Sequence, residues 1–209
     1  MLLLARHGVT ALNESGRVQG VTNHDLSDTG IEQARRLADW LLKSEFMHLH
    51  IYSSPAKRAM QTANVISNAV CNQNPPTLVE AFQERHFGPF EGVNRTELLR
   101  MRGLPDDTSP EIIELWSNVP GVETDSEVEW RVREALANHE VLRDCQERDV
   151  LLVTHAGVIE VLLPYILGIP ATESKWIKVP PASCVGVTFR YENARLSLLY
   201  PNLLNRGWR

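Results

Sequence analysis

The chain has 209 residues, a hydrophobic fraction of 43% and a formal net charge of −5. This length suits one domain with a substantial core, and the negative charge gives no electrostatic reason to expect nucleic acid or an anionic membrane as a partner. No run of about 18 apolar residues predicts a membrane span, and the N-terminus lacks the basic segment of a secretion signal. Three scattered cysteines, Cys71, Cys145 and Cys184, predict reduced thiols and a cytoplasmic location.

Strand and helix patterns alternate along the N-terminal part of the chain. Apolar runs predict three strands, over residues 2–5, 49–52 and 77–79. Apolar residues at helical spacing predict two helices between them, over 31–42 and from Pro55 to Val70. Proline is common in the first turn of a helix, so we place Pro55 inside the second of these helices.

The stretch from about residue 80 to residue 123 is rich in proline, glycine and mixed charge, and we interpret it as a helical insertion that caps the sheet. Short helices are expected there over 96–101 and 111–116. Beyond it, the pattern predicts one long helix over 128–142, a strand over 150–153, a helix over 158–167 and a terminal hairpin with strands over 184–190 and 196–199 and its turn at Glu192-Asn193-Ala194. Helices between strands favour a single domain, 1–209, with a three-layer α/β/α fold and a mostly parallel sheet.

Two of the predicted strands end in a histidine. Arg6 and His7 follow the first strand, and His155 follows the strand over 150–153, with Gly157 opening a helix just beyond it. Ligands of open α/β sheets bind at the carboxyl ends of strands, and helix N-termini favour anions. The two histidines and the adjacent arginine could therefore hold a phosphoryl group, with His7 as the nucleophile. The alternative for His155 is a histidine of the core.

Two further segments supply groups for the same crevice. Arg58 lies in the first turn of the second helix, and its planar guanidinium matches two phosphate oxygens; the alternative is an arginine in solvent. Glu84 and Glu91 each offer the carboxyl group that a general acid and base requires; the alternative is a charged loop. The residue types alone do not choose between the two glutamates.

Together these motifs resemble the histidine phosphatases, also called the phosphoglycerate mutase-like superfamily. The resemblance covers almost the whole chain. It is strongest in the motif that runs from Leu4 through Arg6-His7-Gly8 to Asn13 and continues through residues 16–20 and 25–30. The later motifs around Arg58, Glu84 and His155 follow in the order that the family shows.

The resemblance implies a role for each candidate residue. His7 would be the nucleophile that becomes phosphohistidine, Glu84 the proton donor and acceptor, and His155 a third catalytic group. The phosphate would be held by Arg6, Asn13, Arg58 and His155. The rest of the substrate would contact Gln19 and Arg85. The family needs no metal, so the histidines at His48 and His50 are interpreted as residues at the edge of a strand rather than as metal ligands. We expect no cofactor for this chain.

The sequence leaves hydrolysis and mutase action open. Arg85 and Arg95 stand where cofactor-dependent phosphoglycerate mutases have basic residues for the substrate, whereas Glu91-Gly92 and the segment 120–124 resemble the phosphatase branch, with Val122 replacing a glycine. We expect a phosphatase acting on a small phosphorylated metabolite, such as α-ribazole phosphate, a sugar phosphate or phosphoserine. The alternatives are a phosphoglycerate mutase and a non-catalytic binding module. We expect no nucleic-acid or membrane partner, and a homodimer is the candidate assembly.

Overall fold

The structure is a computed structural model that describes residues 1–44, 46, 48–70, 74–101, 103–105, 119–138, 141–169, 180–182, 184–190 and 193–197. The strands in these ranges are β1 Leu2–Arg6, β2 His50–Ser53, β3 Thr77–Leu78, β4 Val150–Thr154, β5 Cys184–Arg190 and β6 Asn193–Ser197. The α-helices are α1 Ala11–Glu14, α2 Asp28–Lys43, α3 Lys57–Ala69, α4 Arg95–Met101, α5 Asp125–Asn138, α6 Val141–Glu147 and α7 Ala156–Leu167.

The strands form one sheet in the order β3-β2-β4-β1-β5-β6. The first four in this order are parallel, while β5 runs antiparallel to β1 and pairs with β6 as a hairpin. The parallel register sets Arg6 beside Thr154 and Ser53 beside Val153. The carboxyl ends of β1, β2 and β4 therefore lie at one edge of the sheet, as expected for a mostly parallel α/β fold.

Helices cover both faces of the sheet, which confirms the three-layer prediction. Leu2 and Leu4 pack on one face with apolar residues of α5, α6 and α7. Leu3 and Ala5 face the other way and pack with residues of α2 and α3. Because strands buried on both faces need apolar side chains at every position, β1 and β4 read as continuous apolar runs.

The described part of the predicted insertion has a small apolar cluster of its own. Val18 packs there against Leu98 and Leu99 of α4, with four partly buried neighbours: Phe87, Phe90, Val93 and Leu104. Helix α4 confirms the short helix predicted at 96–101. The helix predicted at 111–116 lies outside the described residues, and the capping role of 80–123 stays a prediction.

The helix predicted over 128–142 overlaps α5 and the start of α6, and residues 139–140 between those helices lie outside the described residues. Two predicted boundaries were wrong. Pro55 precedes α3, whose N-cap is Ala56. Strand β6 begins at Asn193 in the predicted turn, because the ladder continues to the Arg190–Asn193 pair whatever the polarity of the side chains.

None of the helices in the described ranges is long and apolar enough to cross a membrane.

Candidate active site

Three strand ends bring the candidate residues to one place. His7 follows β1, His155 follows β4 and forms the N-cap of α7, and Ser54 follows β2. The backbone keeps these ends aligned, because His7 donates its N–H to Thr154 O at 3.0 Å and Ser54 donates its N–H to Val153 O at 3.0 Å. The parallel ladders thus continue one residue beyond the strands and fix the three side chains relative to one another.

Hydrogen bonds fix the tautomer of His7. Its Nδ1 lies 2.6 Å from Gly8 O, and because a carbonyl oxygen only accepts, Nδ1 carries the proton. Arg58 donates its Nε–H to Nε2 of His7 at 3.3 Å, so Nε2 presents a lone pair. The ring is thus a neutral imidazole with an unprotonated Nε2, which is the form that a histidine nucleophile requires.

Burial keeps His7 in this neutral form. The side chain is almost fully enclosed, and its pKa lies well below the usual value of a histidine. The largest cause is desolvation of the charged ring, and the positive charges of Arg58 and Arg6 add to it. His7 therefore stays unprotonated near neutral pH.

His155 lies directly behind His7, with the two rings edge to face and their centroids 5.1 Å apart. Its Nε2 is 2.8 Å from Ser54 Oγ, which already accepts the N–H of Ala56 at 3.3 Å. Ser54 Oγ can donate its proton to Nε2, and in that arrangement Nδ1 of His155 carries the ring proton. This buried Nδ1 has no hydrogen-bond partner among the described residues and could donate to a phosphoryl oxygen.

Arg58 is fully buried and serves as a fixed cation under the site. Besides His7, its guanidinium donates to Gly20 O at 2.7 Å and to Thr22 O at 2.9 Å. Burial lowers its pKa to about 10, so it stays charged at neutral pH. Arg6 ends β1 and lines the open pocket in front of His7. Both arginines thus adjoin the nucleophile, one beneath it and one in the pocket.

The two glutamates that the sequence left as rivals have different surroundings. Glu84 lines the pocket with His7, and its carboxylate accepts the N–H of Arg85 at 2.9 Å and the N–H of Gly157 at 3.4 Å. Gly157 has to be glycine for this contact, because a Cβ at that position would lie 2.6 Å from Glu84 Oε1. Helix α7 therefore presents its N-terminus both to the carboxylate and to the site.

Glu91 instead organises a loop. Its carboxylate accepts the backbone N–H groups of Val21, Thr22 and Phe87 at 3.1 to 3.2 Å, and it does not line the pocket. Both glutamates accept backbone N–H groups on both oxygens, so the difference between them is position: only Glu84 lines the pocket that contains His7. The geometry therefore favours Glu84 as the acid.

Asn13 and Gln19 reach the pocket through a shared contact. Thr10 Oγ1 lies 3.1 Å from Asn13 Oδ1 and 2.8 Å from Gln19 Oε1, and Thr10 N–H also donates to Asn13 Oδ1. Both amide oxygens therefore face donors, which leaves the two NH₂ groups for a ligand. Gln19 Nε2 is buried and has no hydrogen-bond partner among the described residues.

The outer part of the pocket carries several charges. The cavity has a volume of about 100 Å³, and Arg85, Arg95, Asp125 and Glu160 line it beyond Glu84. Arg85 is held by protein groups, because it donates to Glu123 O at 2.8 Å and pairs with Asp125. Arg85 therefore lines the pocket with a guanidinium that protein groups already hold, and its role as a substrate contact stays a prediction.

His50 begins β2, and His48 lies two residues before the strand. His50 Nδ1 lies 3.1 Å from Asp144 Oδ2, and its ring stacks on Tyr52. Within the described ranges no group of three or more histidine, cysteine or carboxylate side chains could hold a metal ion.

The structure brings together every site residue that the sequence singled out, with Arg58 and His155 beneath the pocket and the others along it. Sequence reasoning missed Ser54, which orients His155, and Glu160. Ser54 follows β2 as His7 follows β1, and Glu160 is three residues after Gly157, on the same face of α7. The predicted strand and helix boundaries would therefore have been enough to propose both residues as site candidates.

Comparison with known proteins points to one family. A family model described as the histidine phosphatase superfamily (branch 1) matches residues 2–201. The putative phosphoserine phosphatase 2 of Hydrogenobacter thermophilus is 32% identical over 97% of this chain and 95% of its own. Phosphoglycerate mutase-like protein 4 of Arabidopsis thaliana is 35% identical, but the match spans only 48% of this chain and 43% of that relative. The solved structure of a mycobacterial glucosyl-3-phosphoglycerate phosphatase complexed with VO3 matches with a TM-score of 0.76 at 26% identity, covering 94% of this chain and 96% of that one.

Proposed function

Because the chain belongs to the histidine phosphatase superfamily, we propose that it is a metal-independent phosphatase that hydrolyses small phosphorylated metabolites through a phosphohistidine on His7. The observation that carries the proposal is the state of His7. Its Nδ1 proton is given to Gly8 O and its Nε2 lone pair is unprotonated beside two arginines. The cavity has a volume of about 100 Å³, whereas pockets for drug-sized ligands have roughly 300–1,000 Å³. A cavity of this size supports a short alcohol as the leaving group.

The first step transfers the phosphoryl group to the protein. Nε2 of His7 attacks phosphorus in line with the ester oxygen, so that the P–N bond forms as the P–O bond breaks. Glu84, in its protonated form, gives its proton to the departing alkoxide. Arg6, Arg58, Asn13 and the Nδ1–H of His155 hold the equatorial oxygens, where charge accumulates in the transition state.

The second step returns the phosphoryl group to water. The Glu84 carboxylate takes a proton from a water molecule whose oxygen attacks phosphorus, and the P–N bond breaks. Phosphate leaves, His7 is again neutral and Glu84 is again protonated, so the cycle closes. The tight fit of Gly157 against Glu84 supports this use of one carboxyl group in both steps.

The alternative of a phosphoglycerate mutase is less well supported by the pocket. A mutase would need both Arg85 and Arg95 for its substrate; both line the pocket, but Arg85 is already paired with Asp125 and donates to Glu123 O. The putative phosphoserine phosphatase and the glucosyl-3-phosphoglycerate phosphatase named above differ in substrate but are both named as phosphatases, which supports hydrolysis. Incubation with 3-phosphoglycerate, with and without its bisphosphate cofactor, separates the two: a mutase forms 2-phosphoglycerate, whereas a phosphatase releases phosphate.

A labelling experiment tests the proposal. Protein mixed with a 32P-labelled ester and denatured in alkali should carry a label that acid removes, because the P–N bond of phosphohistidine is labile to acid. His7→Ala should abolish both the label and turnover while its circular dichroism spectrum stays unchanged. A label on His155 would reverse the assignment of the nucleophile, and a folded protein with neither label nor turnover of p-nitrophenyl phosphate would be a binding module.

Removal of metal ions gives a second test. Turnover of p-nitrophenyl phosphate should be unchanged after dialysis against EDTA, since no step of the proposed mechanism uses a metal. Loss of activity that a divalent metal restores would contradict the metal-independent mechanism.

A further inference from the structure

The pocket is lined by two opposite charges that have no ion-pair partner within the described part of the chain. Glu160 of α7 and Arg95 of α4 line the same cavity as His7 and Glu84. Among the described residues, neither side chain takes part in a hydrogen bond or an ion pair, although the nearby Arg85 and Asp125 are paired with each other. A carboxylate and a guanidinium left open beside a reaction centre are the groups that would receive a zwitterionic ligand.

The surroundings of Glu160 favour a cationic ligand. Glu84, Arg6, Arg85 and Arg95 are the charged groups that act on it. Although the three arginines favour its ionised form, burial and the negative charge of Glu84 outweigh them and raise the pKa of Glu160 to about 7. A positive charge in the pocket would therefore stabilise the Glu160 carboxylate, which forms no ion pair with the residues that the structure describes.

We propose that Glu160 is a specificity-determining residue that binds an ammonium group on the alcohol portion of the substrate, while Arg95 binds a carboxylate on the same molecule. The preferred substrates are then phosphate esters of hydroxy amino acids. This proposal rests on the proposed phosphatase function, since it names the alcohol whose ester His7 attacks. Glu160 is not assigned a step of the chemistry, which Glu84 carries out.

A pair of substrates isolates the ammonium group. O-Phospho-L-serine and the L enantiomer of 3-phosphoglycerate have the same configuration and differ only in the substituent at C2, an ammonium group in the first and a hydroxyl group in the second. The measured quantity is the ratio of their kcat/KM values. We expect the wild-type protein to favour O-phosphoserine by about 10- to 100-fold at pH 8, the usual range for a hydrogen bond between charged groups.

Variants assign this preference to Glu160. Glu160→Gln keeps the shape of the side chain and removes its charge, so the ratio should fall to near unity while kcat/KM for the L enantiomer of 3-phosphoglycerate changes less than about threefold. Glu32→Gln, on the outer face of α2, is the matched control and should leave the ratio unchanged. Arg95→Gln should slow O-phosphoserine and spare phosphoethanolamine, which has the ammonium group but no carboxylate.

The wild-type protein provides a test that needs no variant. Because Glu160 gains its charge as the pH rises through about 7, the ratio should increase between pH 6 and pH 8. A ratio that does not change with pH, or that Glu160→Gln does not alter, would overturn the proposal.

The outcomes separate this proposal from the phosphatase function on which it rests. Hydrolysis of p-nitrophenyl phosphate without preference for the ammonium substrate overturns the role of Glu160 and leaves the phosphatase standing. Equal slowing of both substrates by Glu160→Gln would place Glu160 in the chemistry and also overturn it. If no ester is hydrolysed, the phosphatase function and the proposal fail together.

Discussion

Single atoms distinguish residues of the same type in this site. Glu84 and Glu91 are seven positions apart and both accept backbone N–H groups, but only Glu84 reaches the pocket. His7 and His155 both lie at strand ends, but only Nε2 of His7 has its lone pair beside two arginines. The role of each residue therefore depends on which of its polar atoms is already occupied.

Replacement of the acid should reveal a dependence on the leaving group. Glu84→Gln should slow phosphorylation of His7 by alkyl phosphate esters by roughly 10²–10⁴-fold, because the departing alkoxide needs a proton. Phosphorylation by p-nitrophenyl phosphate should be slowed much less, since nitrophenolate leaves unprotonated. Water still needs a base in the second step, so the variant should accumulate phosphohistidine. Single-turnover kinetics with both substrates measure these effects.

The matched control is Glu91→Gln. It should show neither a dependence on the leaving group nor accumulation of phosphohistidine, because Glu91 binds backbone N–H groups of its loop. If the dependence follows Glu91 instead, the acid is misassigned, whereas the nucleophile and the phosphate ligands are unaffected.

At the scale of elements, strand ends and one helix terminus position the chemistry. β1, β2 and β4 deliver His7, Ser54 and His155 at one edge of the sheet, and α7 sets Gly157 against Glu84. The contact with Glu84 leaves no room for a side chain at Gly157. The acid is therefore positioned by a helix that is distant from it in sequence.

Gly157→Ala should displace the acid without unfolding the protein. The new Cβ would lie 2.6 Å from Glu84 Oε1, the far end of a flexible side chain, so the carboxylate moves and the backbone does not. A displacement of about 1 Å can cost on the order of 10²-fold in rate. We expect that loss for alkyl phosphate esters and a smaller loss in phosphorylation by p-nitrophenyl phosphate.

Thermal unfolding provides the control for this variant. Alanine is a better helix former than glycine, so the midpoint of unfolding should be unchanged or higher. A large decrease in the midpoint would show that the contact supports the fold rather than the position of the acid.

At the scale of the molecule, the site lies between two apolar cores and has consequences for stability. Two histidines and one arginine are almost fully buried where the strands end. His7 and His155 both have pKa values well below the usual range, first because of burial and then because of Arg58. In the unfolded chain the same histidines titrate at about 6.5.

The free energy of unfolding should therefore fall in mild acid. Below about pH 6.5 the two histidines bind protons in the unfolded chain but stay neutral in the folded protein. Their contribution to the free energy of unfolding is therefore complete above this pH and is lost as the pH decreases. Each histidine contributes up to about 1.4 kcal/mol per pH unit. Urea unfolding at pH 7.5, 6.5 and 5.5 measures the slope.

The effect of Glu160 on the free energy of unfolding has the opposite pH dependence, and it tests the same explanation. Its pKa is raised in the folded protein, so it favours the folded state as the pH falls from about 7. Glu160→Gln should therefore make the loss of stability in acid steeper. A free energy of unfolding that is constant from pH 7.5 to pH 5.5 would show that the two histidines are not held in the neutral form.

The sequence by itself determined the layers of the fold and the identities of the site residues. Apolar runs and helical spacing report burial, so they located β1, β4, α2 and α7 closely and predicted the three layers. Strand ends and the Arg6-His7-Gly8 motif led to the residues that the structure brings together. Local patterns misled at the start of α3, which Pro55 precedes, and at β6, whose ladder includes Asn193 of the predicted turn.

Only the tertiary structure decided which polar atom meets which. It occupied both oxygens of Glu91 with loop N–H groups, paired Arg85 with Asp125, gave His155 its partner Ser54, and left Glu160 open in the pocket. These contacts join residues far apart in the chain, and each depends on distances of a few ångströms that no local pattern encodes. Hydrogen bonds are directional and short, so the chemistry of each candidate is set by the folded arrangement around it.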